Sequence, residues 1–465
     1  MKSVKLSCIL LSVAVIATVV YGSISLIIGP AAAISDSFDY QTTAQRLVHT
    51  GVYEHNNTPT IEVIYGPSAR IMPGYTFFLS VFYLFIPLSD NVADNFSLVQ
   101  PAIIFAQFIL TVITAVLMSL CGYYIKGRAG ALISGLIAIA YLPFGINIVY
   151  TGVENFALFL TVVCLTLFLA ALKQRKLQSQ IIIACALGLA FGATVLTRPT
   201  ISLWLIIPVI ALALFNKENP RRATVLVSVT ILSFLLIMSP WTIRNAVVYR
   251  EFIPLNTSSS EPLLLSTGDF NFCEAEQAIA DEATMRLEDP KRAVALYRIR
   301  NAFESDPVNF LVSRAKPVAR DVSVHTDMAG TITQVYSLRR VIHDERDIYI
   351  CIYADRSFPA LRPHIFYTSF YSTLTEWSRI IHVTLLFGFM LGVLLSLLRK
   401  DLKLLLLASL PIYFTFVHYA ILSRARYYYY NVPIYILLST IAIIFICKII
   451  AAQVKFQNCG DKHEI

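Results

Sequence analysis

The sequence predicts an all-α polytopic membrane protein, and two observations carry that prediction. Of 465 residues, 57% are apolar and only 14% charged, against about 45–50% and about 25% in soluble domains. The apolar residues also fall in runs long enough to cross a bilayer, whose core of about 30 Å takes about 20 helical residues. With a mean hydropathy of +0.66, these features exclude an ordinary soluble enzyme and a disordered chain. The net charge of +8 raises nucleic acid as a partner. Yet no basic stripe interleaved with aromatics occurs, and the cations cluster between apolar runs as cytoplasmic loops do.

Crossings are expected at 5–29, 99–125, 129–149, 155–172, 180–197, 200–215, 223–240, 380–398, 402–421 and 430–450. An eleventh apolar run, 73–88, is shorter, begins Pro73-Gly74 and stops before Asp90. The basic loops decide whether it crosses. Lys126/Arg128, Lys173/Arg175/Lys176, Lys217/Arg221/Arg222 and Arg399/Lys400/Lys403 hold eleven cations against the two acids Glu218 and Asp401. Lys2 and Lys5 put the N-terminus inside by the same positive-inside rule. If 73–88 stays on one face, all four clusters fall inside; if it crosses, all four fall outside. The run is therefore read as an interfacial or re-entrant helix. That leaves ten crossings with both termini cytoplasmic.

The start of the chain imitates a secretory signal. Its apolar stretch of about 24 residues exceeds the 7–15 of a signal core, so an uncleaved first span is expected. The resulting organisation is an N-terminal transmembrane module, 1–240, whose first outer loop is 30–98. An extracytoplasmic segment, 241–379, follows, with helix-like stretches at Ala275–Asp289 and Pro290–Phe303. C-terminal helices at 380–450 and a cytoplasmic tail at 451–465 complete the chain. No internal repeat stands out, which counts against transporters built from two related halves. Cysteines 8, 121, 164, 185 and 447 lie in spans, and no CxxC or zinc spacing occurs. Cys273 and Cys351 are the only pair in the outer segment; a disulfide and two buried thiols are both open there.

Ionisable residues at span ends are costly and are functional candidates by default. Here they gather on the outer side. Ser35-Asp36-Ser37-Phe38-Asp39-Tyr40 follows the first span. Ala44, Leu47 and Val48 then continue at helical spacing, as in an amphipathic helix lying on the membrane. Either acid can equally serve as that helix's cap. Arg70 precedes Met72-Pro73-Gly74-Tyr75, Glu154 sits in a tiny turn between two spans, and Thr197-Arg198-Pro199 ends another. Pro240-Trp241-Thr242-Ile243-Arg244-Asn245 and Ser423-Arg424-Ala425-Arg426-Tyr427 complete the set. Glu154 can be a helix-start acid, and Arg70 can simply snorkel. Arginines outside run against the positive-inside trend, and guanidinium forks that grip an anion such as a lipid-linked phosphate would explain them.

In that order the motifs resemble the GT-C membrane glycosyltransferases, in the bacterial branch related to protein O-mannosyltransferases and lipid A aminoarabinose transferases. The resemblance rests on Asp36 with Tyr40, Ala44 to Leu47, Gly51-Val52-Tyr53, Arg70 to Leu79, Glu154, Thr197-Arg198-Pro199, Pro240 to Asn245 and Arg426-Tyr427. It implies a GT-C-like bundle of about ten transmembrane helices with outer-face juxtamembrane helices and a small extracytoplasmic insert. One departure is Ser37, where the family commonly has a second acid; Asp39 is the nearest substitute.

The resemblance implies transfer, with inversion, from a polyprenyl-phosphate sugar to a hydroxyl of a cell-envelope acceptor at a bacterial inner membrane. The acceptor class (lipopolysaccharide or other glycan, or protein) stays open. Asp36 would be the base and Glu154 would orient the acceptor. Arg70, Arg244, Arg426 and Arg198 are the candidates for the donor phosphate, with Asp39, Tyr40 and Tyr427 in support; Arg198 has as its alternative a structural role, paired at the outer surface. A divalent ion, magnesium or manganese, between Asp36 and Glu154 is an open expectation. The rivals are a transporter, and a polysaccharide polymerase or ligase with a diphosphate-linked donor. A transporter places its charges near mid-span, whereas these lie at span ends.

Overall fold

A computed structural model describes residues 5–30, 36–55, 61–63, 66–258, 290–323, 365–421 and 425–460. The regular elements among the described residues are all helices: α1 (Leu6–Ile28), α2 (Asp36–Thr50), α3 (Pro73–Tyr83), α4 (Val92–Ala140), α5 (Pro143–Ile146), α6 (Glu154–Lys173) and α7 (Leu177–Thr197) come first. A 3-10 helix, Pro199–Leu205, leads into α8 (Ile206–Phe215) and α9 (Pro220–Tyr249). Then come α10 (Pro290–Ser305), α11 (Pro307–Ser323), α12 (Ile365–Leu398), α13 (Leu402–Ala420), a second 3-10 helix, Ala425–Asn431, and α14 (Val432–Gly460). The chain is an all-α, multi-pass membrane protein.

Eight of these helices are long and apolar enough to cross a membrane. The longest, α4, is two crossings. Lys126 leaves helical geometry and Gly127 takes φ 66°, ψ −148°, a conformation open essentially to glycine alone. The chain doubles back there: Ser134 Oγ donates to Met118 O at 2.9 Å and Ser119 Oγ to Ala131 O at 2.8 Å. Small residues allow this approach, because a Cβ on Gly122 would strike Gly130 and Ser134. Counting α4 twice and adding the shorter apolar stretch Pro199–Phe215, the described residues hold ten apolar segments, matching the crossings expected. Helix α3, at 11 residues, spans only about 16 Å and cannot cross.

Direction along α6 and α7 separates the two ends of the bundle. At one end Lys403 lies within electrostatic range of Lys126 and Lys173, and Arg222 donates to Arg175 O at 2.8 Å. The four basic clusters thus meet on one side, as the parity of the crossings requires. The other end carries α2, α3 and the start of α6. The expected helix-like stretch Pro290–Phe303 is α10, whereas Ala275–Asp289, Cys273 and Cys351 lie outside the described residues, as does Arg424.

One expectation is corrected. Helix α2 forms where predicted but does not lie on the membrane with an apolar face. It buries polar side chains inside the protein: Gln41, Thr42, Thr43, Gln45 and Arg46 are all fully enclosed.

Gly122→Val should force the two arms of α4 apart at a cost of about 1–3 kcal/mol. The expected outcome is a lower thermal-unfolding midpoint in detergent, and Gly127→Asn should lower it as well, since φ 66°, ψ −148° is outside the left-handed region that asparagine tolerates.

Candidate active site

The end of the bundle opposite the basic clusters is built from polar groups that hold one another. Helix α2 is fixed first. Tyr83 donates to Gln41 Oε1 at 2.6 Å, Gln45 Nε2 donates to Tyr83 at 3.1 Å, and Asn95 Nδ2 donates to Gln45 Oε1 at 2.9 Å. These bonds tie α2 to α3 and to the start of α4. The chain after α2 then folds back along it. Glu54 faces Arg46 at 3.7 Å, both side chains fully buried, and His55 Nε2 lies 3.2 Å from Asp39 Oδ2. Burial presses the Arg46 guanidinium below its ordinary value and the Glu54 carboxylate pushes back. Asp39, held as a possible stand-in for the missing second acid, thus has His55 beside it.

Asp36 is the first residue of α2, partly exposed, and Tyr40 follows one turn later. Tyr40 lies within electrostatic range of Asp36, Glu154, Arg198 and Tyr430 together. Burial holds its phenol protonated far above the usual range; the two carboxylates add to this and Arg198 opposes it. Its ring meets Tyr75 edge-on at 5.2 Å, and Tyr75 donates to Thr151 O at 2.9 Å in the turn before α6. The start of α2 is thereby brought to the start of α6.

Glu154, the first residue of α6, is 4% exposed. Arg198 Nη2 donates to Glu154 Oε1 at 2.8 Å, and Arg198 Nε donates to the Tyr430 hydroxyl at 3.0 Å. Next in the chain, Asn155 Oδ1 accepts from Tyr429 at 3.0 Å. Two motifs touch directly here: a Cβ on Gly74 would strike Thr197 Oγ1 and lie 2.9 Å from the Leu196 carbonyl. Helix α3 therefore abuts the Thr197-Arg198-Pro199 corner only because residue 74 lacks a side chain.

A second group holds Arg70. Arg244 Nη1 donates to Ser68 O at 2.8 Å and Nη2 to Tyr53 O at 3.2 Å, with the guanidinium 5.1 Å from the Trp241 ring. Trp241 and Asn245 fold residues 250–258 back onto α9 by donating to Leu255 O and Ile253 O. Asn256 Nδ2 then donates to Arg70 O at 3.2 Å. Arg70 itself is half-buried at the rim of this loop. Arg426 and Tyr427 belong to the second 3-10 helix, which is anchored through Tyr429 and Tyr430 beside Glu154.

The structure thus gathers Asp36, Tyr40, Glu154 and Arg198, and puts Arg70 and Arg244 on an adjoining loop. Sequence reasoning missed Tyr430 as a partner of Arg198, although the run of four tyrosines, 427–430, marks the place. It also missed Arg46, Glu54 and His55. Among the described residues no three acids, histidines or cysteines come together as a metal cluster. Glu154 already faces a guanidinium, so a divalent ion between it and Asp36 would share that carboxylate with Arg198.

No family model and no curated protein matches the chain. Solved structures do match. One is the archaeal oligosaccharyltransferase AglB from Archaeoglobus fulgidus, in complex with an inhibitory peptide and a dolichol-phosphate. It covers 97% of this chain at 16% identity with a TM-score of 0.53. The apo form of the Archaeoglobus fulgidus oligosaccharyltransferase gives 0.54 at 15% identity. ArnT from Cupriavidus metallidurans, bound to undecaprenyl phosphate, gives 0.40 at 14% identity over 93% of this chain and 77% of its own. The chain spans about half, 52%, of the length of the oligosaccharyltransferase structures. Its fold is that of the GT-C membrane glycosyltransferases.

The buried Arg46–Glu54 pair supplies a test of how α2 is held. Glu54→Gln leaves a buried cation without its counter-charge, a loss of about 3–5 kcal/mol. The double variant Arg46→Met/Glu54→Gln should unfold at a higher temperature than Glu54→Gln alone, as read by melting in detergent.

Proposed function

We propose that the protein transfers a sugar from a polyprenyl-phosphate monosaccharide to a hydroxyl of a cell-envelope acceptor, a glycan, glycolipid or protein. The reaction would run at the outer face of a bacterial inner membrane. The observation that carries this reading is the meeting of Asp36 with the Glu154–Arg198 pair around Tyr40, in a bundle of GT-C fold. A solved structure of that fold holds a dolichol-phosphate, which supports a lipid phosphate as the ligand here.

In this reading Asp36, the more exposed acid, takes the proton of the acceptor hydroxyl. The acceptor oxygen bonds the anomeric carbon from the face opposite the phosphate, and the bond to the phosphate oxygen breaks with its electron pair. The centre is oxocarbenium-like in between, and the configuration inverts. Fixed cations stabilise the charge that develops on the departing phosphate. Arg70 and Arg426 are the residues proposed for that contact. Arg244 serves chiefly as the brace of the Arg70 loop, since its forks reach the carbonyls of Ser68 and Tyr53. Tyr40, kept protonated, donates a hydrogen bond within the site.

Membranes with the wild-type protein, given acceptor and a panel of lipid-linked sugars, should release polyprenyl monophosphate from one donor. Asp36→Asn should lower that release by about 10²-fold or more without loss of folded protein. Release from a diphosphate donor instead would favour a polymerase or ligase. No release from any donor would return the weight to a transporter.

A further inference from the structure

Arg198 entered as one of the candidates for the donor phosphate, but its surroundings assign it elsewhere. Its Nη2 is 2.8 Å from Glu154 Oε1 and its Nε is 3.0 Å from the Tyr430 hydroxyl. The Arg198 side chain is 17% exposed and that of Glu154 5%. A guanidinium that neutralises an enclosed carboxylate cannot move to a phosphate without leaving that carboxylate buried and unpaired, which is strongly unfavourable. The other edge of Glu154 is constrained as well, because Gly152 packs against Oε2 and any Cβ there would collide with it.

The Tyr430 hydroxyl accepts from Arg198 Nε beside the charged pair. Its neighbour Tyr429 reaches Asn155, the residue after Glu154, at 3.0 Å. Two consecutive tyrosines of one 3-10 helix thus hold two consecutive residues at the start of α6, one directly and one through Arg198.

We infer that Arg198 and Tyr430 are positioning residues that fix the Glu154 carboxylate, and that Arg198 acts through Glu154 rather than on the donor phosphate. This rests on the transferase reading proposed above. It predicts a separation of turnover from lipid-phosphate binding. A phosphate ligand would raise the dissociation constant for polyprenyl phosphate when removed; a positioning residue would lower kcat and leave that constant in place.

The experiment measures equilibrium binding of polyprenyl monophosphate and donor turnover for wild type, Tyr430→Phe, Arg198→Gln, Glu154→Gln and the double variant Glu154→Gln/Arg198→Gln. Tyr430→Phe keeps the ring and removes only the hydroxyl, so it serves if Arg198→Gln does not fold. Expected are binding within about threefold of wild type for every variant, and kcat reduced about tenfold or more. The double variant should be no slower than the slower single, since the two groups act as one unit. Arg198→Gln or Tyr430→Phe weakening lipid-phosphate binding tenfold with kcat retained would overturn the inference, as would additive effects of Glu154→Gln and Arg198→Gln. Wild type that turns over no donor would instead bring down the transferase reading itself.

Discussion

The Arg198 guanidinium is the contact on which the site end of the bundle depends. It stands at the corner where α7 ends, and it joins an acid 44 residues before it to a tyrosine 232 residues after it. Three crossings that share no loop at this end are thereby held at fixed spacing. A carboxylate enclosed among apolar helices is tolerable only when its charge is compensated. Glu154 is compensated from α7, so the order of helices around the site follows from electrostatics as much as from apolar packing.

The same rule shapes the rest of that end. Helix α2 buries an unusual set of polar side chains, several of them facing partners from distant elements: Gln41 Oε1 and Gln45 meet Tyr83, and Arg46 faces Glu54. Buried networks of this kind confer a unique geometry when they are satisfied. Asp36, the proposed proton acceptor, stands at the tip of this helix. The Arg70 loop is held by a separate set, Arg244, Trp241 and Asn256, on α9 and its return. The two sets meet at the chain after α2, where Arg244 reaches Tyr53 O next to Glu54.

Glu154 faces the guanidinium of Arg198, and Asp39 faces an imidazole. The cations gathered here are side chains, and guanidinium groups supply directional donors that suit phosphate and carboxylate oxygens. Asn95, which matches a glycosylation sequon, is enclosed and spends its amide on Gln45 and Ser89.

Much of the architecture was legible in the sequence because hydropathy is local. Runs of apolar residues, their lengths and the charge of the loops between them give ten crossings, one short helix that does not cross, and a common end for Asp36, Glu154, Arg198 and Arg244. Parity alone required the four basic clusters to share a side, and Lys126, Lys173 and Lys403 do meet. The amphipathic reading of α2 failed because Ala44, Leu47 and Val48 repeat at helical spacing whether the opposite face meets water or buried partners. Pairing was invisible for a related reason. Nothing near Arg198 in the chain distinguishes a phosphate ligand from a partner for Glu154, and the tyrosines at 427–430 read alike until each is seen against its own neighbour. Local composition determined which residues reach this end of the membrane; only the packing of distant helices decided which of them hold each other.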